Sequence, residues 1–172
     1  MKQCILVLGA NGFIGGEVVT GLASSGWATP ILGVRRPSAR SDQFEQRIVE
    51  ATDVNSVAAA MRDVTGIVNC VAGDAQTIAA GAKALFEAAA RVTPAPRIMH
   101  LSTMSVYGSG DGLIDEAAPL RGDLGPYSEA KVAAEATASA YPHAVIFRPG
   151  CVFGPGSEQW TIRIARLLLA HR

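Results

Sequence analysis

Six short apolar runs constrain the fold more than anything else in this chain. CILVLG (4–9), PILGV (30–34), RIVEA (47–51), GIVNCVA (66–72), RIMHLST (97–103) and AVIFR (144–148) lack polar alternation and read as buried strands. Helical spacing fills most gaps between them: 13–24, with Ile14, Val18, Val19 and Leu22 on one stripe, then 55–62, 75–92 and 127–140. A strand without a polar face has both faces covered, as in a parallel sheet clad by crossover helices. Such crossovers are right-handed, so the expected fold class is α/β, a doubly wound parallel sheet.

The 172 residues suffice for one domain with a sizeable core, and 49% are hydrophobic against 17% charged. A formal net charge of zero, without a long basic run, argues against nucleic acid or an anionic membrane held by bulk electrostatics. Cys4, Cys70 and Cys151 stand far apart without CxxC spacing, lie within apolar stretches and read as buried free thiols rather than a disulfide frame or zinc site. No stretch reaches the ~18 apolar residues of a membrane span. The opening MKQCILVLGANG meets a glycine turn too soon for a signal peptide, so a cytoplasmic protein is expected.

After the first strand comes GANGFIG, with Gly9, Gly12 and Gly15 in GxxGxxG spacing around Asn11, Phe13 and Ile14. A phosphate needs backbone amides and a helix N-terminus aimed at it with no side chain in the way. Three spaced glycines alone can be a mere tight connection. Between strand and helix of the first βα unit they point to a dinucleotide site. An acidic residue after the second strand would bind the adenosine ribose of NAD. ILGVRRPS has none there and offers Arg35 and Arg36, whose planar forks suit the 2′-phosphate of NADP. NADP(H) is thus favoured and NAD(H) remains possible, although the arginines can equally form a solvated basic turn. Asp53, with Val54 beside it, either caps the next helix or bonds the adenine amino group.

GANGFIG, STMSVYG, YSEAK and RPGCVFGPG, in this order, resemble the extended short-chain dehydrogenase/reductase family. More narrowly, they are similar to its NAD(P)-dependent epimerase/dehydratase branch, which contains nucleotide-sugar epimerases, dehydratases and related ketoreductases. The resemblance covers nearly the whole chain. It implies a Rossmann fold and an enzyme with catalytic Thr103, Tyr127 and Lys131, with Ser102 and Ser105 as competitors for the hydroxyl position. It also implies that Tyr127 and Lys131 reach the cofactor, and that Pro149 and Val152 of PGCV lie against the nicotinamide carboxamide. Ala72 and Gly73 would leave the cofactor room, with Asn69 supporting their loop. A homodimer through the Ala-rich helices 75–92 and 127–140 is the usual assembly in this family.

These residue types suit the chemistry. Hydride transfer at a carbon bearing oxygen requires a proton to move at that oxygen. A free phenol yields its proton only near pH ~10, too high for a base at neutral pH. An ammonium one helical turn away, beside the positive ring of an oxidised cofactor, favours phenolate. Thr103 would hold the substrate oxygen near Tyr127, and Lys131 would tie the nicotinamide ribose to the catalyst. On an isolated helix the same Tyr–Lys spacing is common and inert. The glycine turn and the Thr103 strand end give it weight.

His100 reads as a hydrogen-bonded core residue, His143 and His171 as a turn and a terminus, and Arg148 as a local structural contact. No metal-ligand spacing occurs. The Gly-rich stretch 108–126 is expected above the carboxyl ends of the strands, where it can wall a substrate pocket. SEQWTIRIARLLLAHR reads as an amphipathic helix capped by Ser157, with Trp160, Ile164, Leu167 and Leu168 needing cover. The expected division is a dinucleotide-binding domain over 1–156 and the start of a substrate segment over 157–172, most of that segment being absent. The leading expectation is reduction, epimerisation or dehydration of a small molecule such as a nucleotide sugar. TMS at 103–105 offers no extra acid/base pair and counts against dehydration. The rival is a dinucleotide sensor without turnover.

Overall fold

A computed structural model describes residues 2–37 and 42–170. Its strands are β1 (Gln3–Leu8), β2 (Ala28–Val34), β3 (Gln46–Ile48), β4 (Gly66–Asn69), β5 (Arg97–Leu101) and β6 (Ala144–Phe147). Helices α1 (Phe13–Ser24), α2 (Val54–Ala60), α3 (Ala75–Ala90) and α4 (Pro126–Ser139) lie between them, and α5 (Arg163–Ala170) follows. All six strands join one sheet in the order β3-β2-β1-β4-β5-β6, and every neighbouring pair is parallel. This is the doubly wound Rossmann arrangement, with its order reversing at β1 and β4.

Alternate residues of β1 divide the core. Val7 packs with Val19 of α1, Leu32 and Val34 on one face. Leu6 and Leu8 face the other way, into a larger cluster with Val57 of α2, Leu85 and Phe86 of α3 and Ala138 of α4. Ile78 and Ala82 of α3 bury against Ala130 and Ala134 of α4, so small side chains let these helices approach closely.

Several strands stop earlier than their apolar runs suggest, each for a local polar reason. GIVNCVA ends as a strand at Asn69, whose Oδ1 accepts the Val71 amide at 3.2 Å and turns the chain. RIMHLST ends at Leu101, because Thr103 caps a 3₁₀ turn over Met104–Tyr107. RIVEA pairs only to Ile48, after which Glu50 and Thr52 bond each other and Asp53 caps α2. The last helix opens with a π turn, Glu158–Ile162, in which the Ser157 carbonyl accepts both the Thr161 and Ile162 amides. Ser157 is the cap there, its hydroxyl oxygen accepting the Trp160 amide at 3.3 Å. Trp160, Ile164, Leu167 and Leu168 are all exposed, while His171 lies outside the described residues. The face of β5 and β6 on the α1 side also exposes Met99, Val145 and Phe147. A hollow of about 460 Å³ runs along it past Trp27 and Leu22. No described helix is long and apolar enough to cross a membrane.

One polar pair sits inside the helix-covered face. Asn69 and His100 are register partners on β4 and β5, with Asn69 Nδ2 3.1 Å from His100 Nδ1. Since Asn69 Oδ1 takes the Val71 amide, Nδ2 is the donor and Nδ1 the acceptor, which assigns the ring proton to Nε2. Burial, helped by the Lys131 charge and opposed by Glu135, pushes the His100 pKa down to about 4. The unfolded ring protonates near ~6.5. The stabilisation from a neutral His100 is therefore complete above that pH and lost as pH falls from about 6.5 to about 4, in total about 3 kcal/mol. Urea melts across this window should show falling stability, with a distinctly shallower slope in His100→Leu; an unchanged slope would contradict the assignment.

Candidate functional site

α1 begins at Gly12, which supplies no side-chain cap, so the first-turn amides keep no competing protein acceptor from that residue. Gly9 adopts φ +77° and lies so close to β4 that a Cβ there would sit 2.7 Å from the Cys70 carbonyl oxygen. A Cβ on Gly15 would meet the Gly9 oxygen at 2.2 Å. Gly9 and Gly15 are thus required by packing, while Gly12 opens onto a cleft of about 420 Å³. The cleft gathers six of the sequence-chosen residues: Gly9, Asn11, Gly12, Arg35, Arg36 and Ala72. Asn11 donates through Nδ2 to the Arg36 carbonyl at 3.3 Å, tying the glycine turn to the exit of β2. An anion-compatible helix start, a turn without obstructing side chains and two guanidinium groups fit the phosphates of a dinucleotide.

Other sequence-chosen residues surround this cleft without lining it. Gly15 is buried beneath the turn. Ile14 is half-buried in the first turn of α1, and Phe13 packs its ring near Gly154 and Gly156, 3.8 Å from the position of a Cβ on either. Asp53 Oδ1 accepts the Asn55 and Ser56 amides at 2.7 and 2.9 Å, so the capping role is the one seen. Val54 packs on the core, and a Cβ on Gly73 would touch Thr77 at 3.1 Å. The cleft also contains Glu50, Val71 and Thr77, which the sequence did not single out, and Cys70, expected to be buried but only partly so here, as is Cys4, while Cys151 is exposed. Glu50, Cys70 and Val71 lie just after strands, and Thr77 lies in the first turn of α3.

The second half of the site is built by α4. Gly125 turns the chain at φ +106° and Pro126 opens the helix, a favoured first-turn pairing of residues. Ser128, Lys131, Glu135 and Ala138 then form its buried stripe, which places two charged side chains inside. Lys131 is 5% exposed, donates through Nζ to the Leu101 carbonyl at 2.9 Å, and lies 6.0 Å from the Tyr127 ring centroid. Burial holds its pKa below the usual amine range, with Cys70 and Glu135 opposing. Cys70, on the cleft wall, is pushed up to about 11 by burial despite the Lys131 charge. Lysine and cleft therefore feel each other electrostatically. Tyr127 is half-exposed at the head of the helix.

Hydrogen bonds fasten the remaining pieces to α4. Ser128 Oγ donates to the Ser105 carbonyl at 2.7 Å, joining the helix start to the turn that carries Thr103. Met104 donates to the Pro149 carbonyl at 2.9 Å, joining that turn to the segment after β6. Thr103 Oγ1 takes the Ser105 amide at 3.2 Å and pairs with Ser105 Oγ at 2.8 Å, so the two hydroxyls act as a unit. Ser102, the third candidate, is buried, and its hydroxyl has no hydrogen-bond partner among the described residues. Val152 accepts the Ser157 hydroxyl at 3.0 Å through its carbonyl, which anchors the 149–152 segment from its far end. Arg148 grips Glu135 with three contacts of 2.7–3.1 Å, donates to Tyr107 Oη at 2.8 Å and to the Glu116 carbonyl at 3.0 Å. The carboxylate beside it holds the Arg148 guanidinium above even its ordinary range. One buried ion pair thus binds α4, β6, the 3₁₀ turn and the 108–126 loop. No group of three His, Cys, Asp or Glu among the described residues is placed to hold a metal.

Comparison with solved structures gives a consistent picture. The dTDP-glucose 4,6-dehydratase of Bacillus anthracis, solved with NAD, superposes with a TM-score of 0.83 at 26% identity, covering 99% of this chain and 62% of that one. The UDP-glucuronic acid 4-epimerase of Bacillus cereus, solved with UDP-glucuronic acid and NAD, gives 0.76 at 20%, covering 90% and 58%. A dTDP-glucose 4,6-dehydratase of Streptomyces venezuelae with NAD gives 0.78 at 22%, covering 98% and 63%. At the lower identities the likeness is one of fold, and the chain spans about three fifths of the length of these proteins. No curated protein matches the sequence. The family model described as NAD dependent epimerase/dehydratase family matches residues 5–171. With nearly its whole length matched, the chain belongs to the NAD dependent epimerase/dehydratase family.

Proposed function

We propose that this chain binds a nicotinamide dinucleotide, NADP(H) ahead of NAD(H), and works at a carbinol or carbonyl carbon of a nucleotide sugar or related small molecule. The observation that carries this reading is the junction of α4, the Thr103 turn and the Pro149 segment, wired together around buried Lys131 beside the glycine cleft. The amides after Gly12 would take the pyrophosphate, and Arg35 and Arg36 a 2′-phosphate. Asp53 has one carboxylate oxygen engaged in its cap and, with Val54, stands as the adenine contact. Ala72 and Gly73 leave room on the β4 side, while Pro149 and Val152 face the nicotinamide end. The dinucleotide, when bound, supplies the hydride acceptor or donor.

The chain's own residues then handle the proton. Tyr127 Oη takes it from, or returns it to, the substrate oxygen. Lys131 lies one turn along the same helix face, and its charge favours the ionised phenol. Thr103, its orientation fixed by Ser105, bonds the substrate oxygen. The Arg148–Glu135 pair keeps α4 in register with the Thr103 turn. The 108–126 loop, held to Arg148 through Glu116, forms one wall for the substrate. The reading divides the chain into a dinucleotide-binding part over 1–156 and the beginning of a substrate part from 157 onward.

Replacing Tyr127 by Phe tests the proton role. Dinucleotide affinity should stay within about twofold while cofactor reduction on mixing with dTDP-glucose or UDP-glucuronic acid falls at least ~10²-fold. Lys131→Met should lose both turnover and affinity. Equal turnover in Tyr127→Phe would remove the catalytic reading and favour a sensor. Titration with NADPH and NADH, followed by nicotinamide fluorescence, should give tighter NADPH binding, weakened selectively in Arg35→Ala/Arg36→Ala; tighter NADH binding would reverse the preference. The reading includes a homodimer through the outer faces of α3 and α4, which gel filtration over a concentration series should report as a doubled mass.

A further inference from the structure

Between α4 and the ends of β4 and β5 lies a polar layer closed to solvent: Asn69, His100, Ser102, Lys131 and Glu135, none more than 5% exposed. Among the described residues only two buried side-chain polar atoms have no hydrogen-bond partner, His100 Nε2 and Ser102 Oγ, and both belong to this layer. The strand brings them together. Its ladder continues past Leu101, the Ser102 amide donating to the Phe147 carbonyl at 2.8 Å, so Ile98, His100 and Ser102 share one face. Ile98 belongs to the core cluster that includes α3 and α4 residues, which makes that face the helix-covered one. Between the two unpaired groups, the Leu101 carbonyl accepts Lys131 Nζ at 2.9 Å. Each orphan has a definite demand. Asn69 places the imidazole proton on Nε2, a buried donor in want of an acceptor. The serine hydroxyl both accepts and donates, and Leu101 takes only one of the ammonium's N–H groups. Alternate residues of a strand stand about 6.6 Å apart, too far for one bond from His100 to Ser102 and suited to a shared water. That water would accept from Nε2–H and from Lys131 and donate to Ser102 Oγ, the usual complement of an internal water.

We propose that His100 is a positioning residue: its Nε2–H and Ser102 hold one internal water against Lys131, and its Nδ1 holds the cleft wall through Asn69. On the wall side, Asn69 donates to Nδ1 while its Oδ1 takes the Val71 amide at 3.2 Å, and Cys70, Val71 and Ala72 line the cleft. Removing the Nδ1 acceptor frees the Asn69 amide to turn and releases that bend. On the lysine side, an acceptor beside Nζ favours the ammonium and keeps its head at the strand, against the burial that disfavours charge. Cys70 and Glu135 are the other titratable groups that act on Lys131, while Lys131 and Glu135 act on His100. The two nitrogens of one ring thus set the cleft wall and the lysine together. The consequence for ligand binding rests on the dinucleotide reading above, whereas the water and its effect on Lys131 stand apart from it.

The test uses the whole 172-residue chain. A crystal structure that shows ordered waters should place one within about 3.2 Å of both His100 Nε2 and Ser102 Oγ, and nitrogen NMR should find the ring proton on Nε2. No water at that point, or a proton on Nδ1, overturns the inference. Two substitutions then separate the nitrogens: the amide of His100→Asn reaches Asn69 but not the water, and that of His100→Gln reaches the water but not Asn69. In the ligand-free chain, Ser102→Ala and His100→Asn should lower the titration midpoint of the Lys131 amine, followed by side-chain NMR, while His100→Gln leaves it near the unaltered value. His100→Gln should instead weaken NADPH and NADH alike by about fivefold, the loss of one hydrogen bond behind the wall. An unchanged Lys131 midpoint in Ser102→Ala and His100→Asn overturns the lysine role, and unchanged affinities in His100→Gln overturn the wall role. Failure of the unaltered chain to bind either dinucleotide overturns the dinucleotide reading, and the water and the Lys131 midpoints then decide the inference. If circular dichroism shows the His100 variants unfolded, the Ser102→Ala midpoint decides, an unchanged value counting against the water.

Discussion

The near-contact between the glycine turn and the exit of β4 is the constraint from which the site follows. Gly9 lies against the Cys70 carbonyl, and Gly15 lies against Gly9, at separations that no Cβ could occupy. This lets α1 start directly on the edge of the sheet, between the exits of β1 and β4, where the strand order reverses. Any larger residue at Gly15 would push the helix off the turn and widen the angle at which its amides meet the cleft. The same approach puts Cys70 on the cleft wall, within electrostatic reach of Lys131. The glycine cleft and α4 therefore approach each other at Cys70.

The α4 side of the candidate site depends on charges held where charges are expensive. Lys131 is nearly buried and Glu135 wholly so, four residues apart on one stripe of α4. Glu135 is satisfied by the planar fork of Arg148, and Lys131 by the Leu101 carbonyl. An apolar replacement of such an ion pair can be as stable or more so, so stability alone gives a weak reason for it. Its directional bonds do something an apolar contact cannot: they tie α4 to β6, to Tyr107 and to the Glu116 loop in a single geometry. That geometry sets α4, which carries Tyr127, against the turn that carries Thr103 and Ser105.

Much of the fold was legible because buried parallel strands announce themselves as unbroken apolar runs, and all six were visible in the sequence. Their ends were not, since a side chain such as Asn69 or Thr103 terminates a strand by a bond whose partner the sequence does not name. The local part of the proposed site is written in short stretches: the glycine turn, Tyr127 with Lys131, and Thr103 are each encoded within a few residues. The cross-strand part was not. Glu50 lines the same cleft as Arg35 and Arg36 only through the pairing of β2 with β3, and the Asn69–His100 pair exists only through β4 and β5. The apolar stripe of Trp160, Ile164, Leu167 and Leu168, expected to need cover, stands exposed.

The central claim is spatial: one dinucleotide reaches from the amides after Gly12 to the helix that carries Tyr127 and Lys131. A crystal structure of the chain with a bound dinucleotide tests it most directly. The account predicts the pyrophosphate on the Gly12–Ile14 amides and Lys131 Nζ at hydrogen-bond distance, about 3 Å, from the nicotinamide ribose. It predicts Tyr127 Oη beside the nicotinamide C4 face, at a distance that admits a substrate carbon between them. A dinucleotide bound with its nicotinamide away from Lys131, or a Tyr127 hydroxyl turned out to solvent with the ligand in place, would contradict it.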